Sequence, residues 1–396
     1  MSEDGRLEAL RALEWPAGQR INLNPGTLGA PSRRVREAIR AACDDEERHA
    51  WPLGMYAIGR QGLADARATA QRLWDGPPPA MTAGTTAIVN HLVLVFAARA
   101  AADGRRWRVL TSGHEHEGGI SGFEAHPAFE VRYLHDDALH DLDRYADEVR
   151  AAQPDVVFLS QVTWTDGRRV DIAPRMEVAR RLAPGSWGIV DAAQVVGNGT
   201  PSMAGDITVA SAHKWLGGPS GAGFAWLGER ARDELAWSWT GHALDPASPN
   251  GRFEAMGGQD FARYAGVQAA LQLLEEAGPE ATEARARRLA RRLATGLEAR
   301  FLERGIDHAW MDPARGAWVR KVPDTLEGVC AVRFDAWDPY PAYAALDRRG
   351  VHLKCIKGRT PTGTALNQWR LGTPWFTSDD AVDRALERVA EALRGV

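Results

Sequence analysis

The chain has 396 residues, of which 44% are hydrophobic and 25% are charged, an ordinary composition for a globular protein in water. This length favours a large domain with a smaller one over a single simple core. A formal net charge of −4 gives no electrostatic reason to expect nucleic acid or an anionic membrane as a partner.

The beginning of the chain and its cysteines bear on the compartment. The opening MSEDGRLEALRALEW is acidic and lacks the apolar centre of a signal peptide, so we expect none. Cys43, Cys330 and Cys355 are far apart and odd in number, which suggests reduced thiols in a cytoplasmic protein. The longest apolar stretch, residues 87–102, is shorter than a membrane span and predicts a buried helix.

Helical and strand patterns alternate after an N-terminal segment, residues 1–20. Helices are predicted first, in SRRVREAIRAACDDEER and GLADARATAQRLW. Strands or strand ends are then predicted in WRVLTSG, FEVRYLH, DVVFLSQV, WGIVDAAQ, ITVASAHK and GAGFAWLG. This alternation predicts an α/β fold, with a mainly parallel central sheet in a large domain over residues 21–274.

The remaining residues, 275–396, are predicted to form a smaller α+β domain. FARYAGVQAALQLLEEAG and the Arg-rich residues 285–300 are predicted helices, the second amphipathic with a solvated basic face. Ser378 is a predicted N-cap for the last helix. Between the Arg-rich helix and the last helix we predict, in order, the strand EGVCAVRFD, the helix PAYAALDRRG and the strands VHLKCI and NQWRLG.

Two motifs follow predicted strands in the first half of the chain. In TAGTTAIVNHL, Gly84, Thr85 and Thr86 open an apolar helix, whose free N–H groups and dipole favour an anion such as a phosphate. No Lys-Ser/Thr pair follows, so this is not a Walker A loop. In TSGHEHEGG the spacing is not HExxH, which argues against a metal site. The imidazole of His116 is instead suited to stacking on a flat ring.

A buried strand, GSWGIVDAAQ, ends in Asp191. A buried carboxylate with no basic neighbour is costly unless a cation meets it. The protonated pyridine nitrogen of a pyridoxal cofactor would supply that cation, and Gln194 would then hydrogen-bond the ring oxygen. The alternative is that Asp191 caps the next helix.

The strand ITVAS leads into His213 and Lys214, and a glycine-rich loop follows. A lysine that forms a Schiff base must be partly desolvated and free of an acid partner, so that its amine is nucleophilic. Lys214 meets that description, although a surface lysine beside a turn has the same local pattern. With Asp191 lying 23 residues earlier, the sequence predicts a pyridoxal 5′-phosphate (PLP) site.

In combination and order, these motifs resemble the class V aminotransferase-like enzymes of PLP fold type I, from INLNPGTLG to the last helix. That family includes cysteine desulfurases, kynureninases, isopenicillin-N-epimerase-like proteins and C–S lyases. The resemblance implies a Schiff base on Lys214, the pyridine nitrogen on Asp191 and the ring oxygen on Gln194. It implies three further groups of ligands: Gly84, Thr85, Thr86, Ser211 and His213 for the phosphate, His116 for the ring face, and Arg370, Asn24 and Trp164 for the substrate, with Arg370 on its α-carboxylate.

Three positions depart from the family pattern. Gly258 stands where relatives often place a threonine that reaches the partner subunit's phosphate. Trp164 stands where desulfurases tend to have asparagine, as in the kynureninase-like branch. Cys355 lies near the place of the desulfurase nucleophile, but its surroundings predict a core strand residue.

The resemblance implies an enzyme that acts on an amino acid through a Cα carbanion, in a homodimer with a shared active site. Because the nucleophilic cysteine of desulfurases is lacking, we favour a lyase that performs β-elimination. Aminotransfer is the alternative, followed by epimerisation and desulfuration, since fold and cofactor do not decide among them. A non-catalytic PLP-binding regulatory protein is the alternative from another class. No metal, nucleic acid or membrane is expected.

Overall fold

The six strands predicted between residues 107 and 227 are all present in the computed structural model, which describes residues 2–16, 18–48, 52–235, 250, 253–254 and 260–395. In chain order, the strands of these residues are β1 (Ile21–Asn22), β2 (Ala80–Thr82), β3 (Trp107–Ser112), β4 (Phe129–Leu134), β5 (Val156–Ser160), β6 (Trp187–Asp191), β7 (Ile207–Ser211), β8 (Gly223–Leu227), β9 (His308–Asp312), β10 (Ala317–Val319), β11 (Val329–Phe334), β12 (Val351–His352), β13 (Lys354–Arg359) and β14 (Ala365–Gly372).

The predicted helices are present as well, although two of them, the helix that contains GLADARATAQRLW and the Arg-rich helix, are longer than expected. The helices of the described residues are α1 (Glu3–Glu14), α2 (Arg33–Arg48), α3 (Pro52–Trp74), α4 (Thr85–Ala102), α5 (Glu117–Ala125), α6 (Leu142–Ala152), α7 (Ile172–Leu182), α8 (Glu229–Glu234), α9 (Phe261–Ala277), α10 (Pro279–Glu303), α11 (Tyr340–Arg348) and α12 (Asp379–Arg394). Helix α3 begins ten residues before the predicted GLADARATAQRLW. Ser378 caps α12 as predicted, since its side chain accepts a hydrogen bond from Ala381 N.

The central sheet has the strand order β2-β8-β7-β6-β5-β3-β4. Strands β3 to β7 pair in parallel, and β8 pairs antiparallel with both β7 and β2. Strands β5, β6, β7 and β8 are buried along their whole length, as expected where helices cover both faces of a sheet. The predicted α/β fold with a mainly parallel sheet is therefore confirmed. Because β6 and β7 are parallel neighbours, the residues that follow them meet at one edge.

A second sheet is formed by the C-terminal part of the chain, in the order β10-β9-β11-β14-β13, and all its pairings are antiparallel. The segment VHLKCI was predicted as one strand, and that prediction is wrong. It is divided at Leu353: β12 pairs in parallel with β1, whereas β13 pairs with β14. The side chain of Leu353 is buried in the C-terminal hydrophobic core.

The apolar helix α4 is part of the core, as predicted. Among the described residues it is the helix whose length and hydropathy would allow it to cross a membrane, and half of its 18 residues are buried inside the protein. The core contact of Phe96 with Trp107 and Trp187, at ring-centroid distances of 5.8 and 5.7 Å, accounts for its apolar composition. This is the pattern of a core helix that packs against a sheet.

The predicted division of the chain at residue 274 falls in the last turn of α9. This helix packs against α2 and α3 of the large domain, and Gly278 separates it from α10. The N-terminal segment contacts both regions, because α1 packs on α2 and on α10. Residues 21–22 also pair with the C-terminal region through β1 and β12. The domain limits stay a prediction.

Helix α10 departs from its predicted solvated basic face at Arg285. The side chain of Arg285 is 1% exposed. Its guanidinium donates to the Asp4 carboxylate at 2.6 Å, to the Glu8 carboxylate and to the Trp375 carbonyl at 2.8 Å. Other arginines of the helix, such as Arg288, form the expected half-exposed ion pairs. Arg285 therefore joins α1, α10 and the loop before α12.

Replacing Arg285 with alanine is expected to lower the free energy of unfolding by about 2–3 kcal/mol, because it removes a buried, charge-assisted hydrogen-bond set and its packing. Urea denaturation monitored by circular dichroism measures this change. Arg291→Ala is the matched control: Arg291 lies on the same helix, 57% exposed, and pairs with an exposed Asp324, a kind of pair that contributes little. Equal effects of the two substitutions would contradict the role given to Arg285.

Candidate active site

A cleft of about 270 Å³ lies where the ends of β6 and β7 meet the N-termini of α4 and α5. Nine predicted site residues line it: Thr85, Thr86, His116, Trp164, Asp191, Ser211, His213, Lys214 and Arg370. Gly84, Asn24 and Gln194 do not line it but contact residues around it. The sequence prediction thus falls on one place in the fold. Gly258 lies outside the described residues.

Lys214 and Asp191 follow neighbouring parallel strands and form the centre of the cleft. No described residue forms a hydrogen bond or ion pair with the Lys214 ammonium. Burial, together with the charge of Arg370, lowers the pKa of Lys214, although Asp191 opposes the shift. Burial raises the pKa of Asp191, with Lys214 opposing. Ala193 N donates to the Asp191 carboxylate at 2.7 Å, which holds it in place.

One end of the cleft has groups that attract an anion. Gly84 precedes α4 with a φ of +115°, a backbone conformation that favours glycine. Thr85 N and Thr85 Oγ1 lie 3.2 and 2.9 Å from Ser211 Oγ, so Ser211 joins β7 to the start of α4. A Cβ on Gly118, in the first turn of α5, would lie 2.4 Å from Thr86 Oγ1. Two helix N-termini therefore converge here, with the polarity that attracts negative charge.

His116 and Trp164 form one wall of the cleft. Their rings meet edge to face, with centroids 5.4 Å apart. His116 Nδ1 accepts a hydrogen bond from Gly118 N at 3.0 Å, and Trp164 Nε1 donates to the Glu115 carbonyl at 2.9 Å. Burial, with a contribution from Lys214, lowers the pKa of His116 to about 4. The imidazole is therefore neutral at neutral pH.

Arg370 lies on β14 and lines the cleft beside Trp164. Its guanidinium donates to the Trp164 carbonyl at 2.6 Å, to Asn24 Oδ1 at 2.7 Å and to Thr27 Oγ1 at 3.4 Å. Burial lowers the pKa of Arg370 to about 10, so it is charged at neutral pH. No carboxylate of the described residues pairs with it. A buried guanidinium without an acid partner is a receptor for a carboxylate.

Gln194 connects the floor of the cleft with the N-terminal segment. Its Nε2 donates to the Gly26 carbonyl at 3.0 Å, and its Oε1 accepts from Trp215 Nε1 at 2.8 Å. A Cβ on Gly26 would lie 2.6 Å from Gln194 Oε1, so the backbone passes close to this amide. The predicted contact of Gln194 with the ring oxygen stays a prediction.

The sequence analysis missed several residues of the site. Glu115 was considered only as a metal ligand. Its buried carboxylate instead accepts from Ser112 Oγ at 2.6 Å and from Ser160 N at 3.1 Å, and burial raises its pKa to about 7. Gly29 N donates to the His213 carbonyl at 2.7 Å, and a Cβ there would lie 1.9 Å from the Lys214 carbonyl. The one sign in the sequence of this contact with the backbone at Lys214 is that Gly29 stands between apolar residues. Thr27 and Lys354 also line the cleft.

A model of the class V aminotransferases matches residues 61–371. The chain belongs to the class V aminotransferase family. This class V enzyme is therefore PLP-dependent, and its α/β architecture is that of the fold-type I PLP enzymes.

Three known proteins show how far the similarity extends. Isopenicillin N epimerase of Streptomyces clavuligerus is 26% identical over 263 residues, which span 60% of this chain and 60% of that protein. The apo cysteine desulfurase of Thermococcus onnurineus NA1 has a TM-score of 0.75 at 17% identity and covers 98% of each chain. C-DES with glycine covalently linked to its PLP cofactor has a TM-score of 0.77 at 19% identity, covering 96% of this chain and 99% of its own.

C-DES is similar in a second state. Its complex with cysteine persulfide, which is described as the reaction product of this cystine C–S lyase, has a TM-score of 0.73 at 19% identity. That similarity covers 94% of this chain and 97% of the other. At such identities the solved structures establish the shared fold.

Proposed function

We propose that this class V enzyme is a lyase that removes a leaving group from Cβ of an amino acid, with sulfur-bearing or bulky side chains as the favoured substrates. Desulfuration needs a thiol nucleophile at the substrate. The observation that supports a lyase over a desulfurase is that none of the three cysteines is among the residues that line the cleft. Cys355 packs against the C-terminal core, where burial raises its pKa to about 11. Cys330 is buried in that core, and Cys43 is exposed on α2.

The described residues fit PLP at its aldehyde, its pyridine nitrogen and its phosphate. Lys214 offers an amine without a partner for covalent attachment, and Asp191 offers a buried carboxylate for the pyridine nitrogen. The anion site at Thr85 and Ser211 fits the phosphate. His213 Nδ1, buried without a hydrogen-bond partner among the described residues, offers a further polar atom. We propose these roles, with His116 against the ring face.

The proposed mechanism uses Arg370 and Lys214 on the substrate. Arg370 binds the α-carboxylate and so fixes which bond at Cα faces the cofactor plane. Because its pKa is lowered, the Lys214 amine is neutral in a larger fraction of molecules and accepts the Cα proton. When bound, PLP supplies an electron sink for the charge that develops at Cα. The ammonium that Lys214 then carries would give its proton to the leaving group, so one side chain would serve as base and then as acid.

The lyase proposal is tested by product formation without an acceptor. The PLP-loaded enzyme is incubated with S-methylcysteine, cysteine and cystine, and with norvaline, which has the length of S-methylcysteine but no leaving group. Release of pyruvate and ammonia from the sulfur compounds alone is the expected result. Product that forms only when a 2-oxo acid is added would establish aminotransfer instead, and loss of optical rotation without ammonia would establish epimerisation.

We propose, from the family resemblance, a homodimer with a shared active site; Gly258, in the segment that this proposal concerns, lies outside the described residues. A cytoplasmic location is proposed from the separated cysteines. The helix N-termini and Ser211 are proposed to provide the contacts of the phosphate.

A further inference from the structure

Lys354 stands directly opposite Arg370 in the antiparallel pair of β13 and β14. Directly opposed residues of such a pair lie on the same face of the sheet, with Cβ atoms about 5 Å apart, and like charges there are destabilising. Both side chains line the cleft. Two positive charges therefore lie unfavourably close to each other, on the side of the cleft that is proposed to bind the substrate.

No acid of the described residues relieves this arrangement. Asp191 is the single carboxylate among the residues that line the cleft, which also include the cations Lys214, Lys354 and Arg370. Lys357, three residues along the same strand, instead pairs with Asp338 at 2.9 Å. Of these two lysines on β13, Lys357 outside the cleft therefore has an acid partner, whereas Lys354 in the cleft has none among the described residues.

The choice of lysine is unusual for this chain. It has 48 lysines and arginines, and only four of them are lysines: Lys214, Lys321, Lys354 and Lys357. Two of the four line the cleft. A lysine presents a compact charge on a flexible stem, where arginine presents a rigid planar fork. Next to the rigid guanidinium of Arg370, the flexible ammonium of Lys354 could therefore bind a second acidic group of a ligand at more than one distance.

The proposed function leaves Lys354 without a task. Lys214 and Asp191 are assigned to the cofactor, and Arg370 to the α-carboxylate. We propose that Lys354 binds a second carboxylate, at the end of the substrate's side chain, so that the enzyme selects amino acids with two carboxylates. This inference rests on the proposed function for the position of the α-carboxylate at Arg370.

Binding of acids that have no amine tests this inference apart from the reaction. Isothermal titration calorimetry on the PLP-loaded enzyme compares succinate, glutarate and adipate, each with its own monoamide. For at least one pair, the diacid is expected to bind about tenfold or more tightly than the monoamide, since a hydrogen bond to a charged group contributes about 1.5–3 kcal/mol. No preference in any pair would overturn the proposal.

Substitutions locate the preference. Lys354→Met is expected to remove the diacid preference and to weaken the monoamide by less than about threefold, with the cofactor absorbance of the wild type retained. Lys357→Met, on the same strand, is the matched control and is expected to keep the preference. Arg370→Met is expected to weaken both members of the pair. If Lys354→Met weakens diacid and monoamide equally, Lys354 serves the same carboxylate as Arg370, and the proposal fails. A lyase assay without product would leave these binding results intact, so the two proposals fail separately.

Discussion

Alanine in place of Lys214 is expected to reduce turnover by roughly 10³-fold or more and to abolish covalent attachment of the cofactor. The substitution removes the one amine of the cleft centre, together with the proton acceptor proposed for Cα. After borohydride reduction, mass spectrometry of the wild-type digest should find the cofactor on the peptide that contains Lys214. The Lys214→Ala digest should have no labelled peptide.

Lys321→Ala is the control for this experiment, because Lys321 is exposed next to β10 and far in sequence from the cleft residues. It should retain both the label and the rate. Label on another lysine in the wild type, or turnover by Lys214→Ala within tenfold of the wild type, would show that Lys214 does not hold the cofactor.

Asparagine in place of Asp191 is expected to reduce kcat/KM by roughly 10²- to 10⁴-fold. Removing one partner of a buried charge pair costs about 3–5 kcal/mol, and each 1.36 kcal/mol of barrier is a factor of ten. The amide oxygen of asparagine retains the hydrogen bond from Ala193 N, so the fold and the position of the side chain are preserved. Steady-state kinetics and the cofactor content per chain are the measurements.

The cofactor content separates chemistry from binding in the Asp191→Asn variant. We expect the variant to hold PLP at saturating concentration and to lose rate at every pH tested. Asp171→Asn is the control, since the Asp171 side chain makes no capping bond at the start of α7. A fully active Asp191→Asn variant would exclude a partnership between Asp191 and the pyridine nitrogen.

The central sheet and the middle of the site were accessible from sequence because both depend on short segments. Strands β5 to β8 are mostly apolar, and they appear as continuous buried runs. Asp191 ends β6, and Lys214 lies three residues after β7. Since parallel strands end at the same edge of a sheet, the two strand patterns also predicted that Asp191 and Lys214 lie close together.

The contacts that could not be predicted join residues far apart in the chain. The hydrogen bond of Arg370 with Asn24 spans 346 positions. Lys354 lies beside Arg370 because of the register between β13 and β14, which the sequence does not show. VHLKCI has one hydrophobic pattern, but two partners, β1 and β14, divide it into two strands. Arg285 belongs to a helix rich in arginine, and only the position of α1 distinguishes its buried side chain from the others.

The tie between Asn24 and Arg370 has a consequence for how the enzyme matures. Of the described residues that line the cleft, Arg370 is the one furthest along the chain, so a growing chain on the ribosome lacks it until synthesis is almost finished. A contact across so long a loop also carries a larger loop-closure entropy than the local pairings of the sheet. Lys214, Asp191 and the residues of the anion end lie within residues 84–214 and are synthesised well before it. Arg370 is thus the last of these residues to join the cleft.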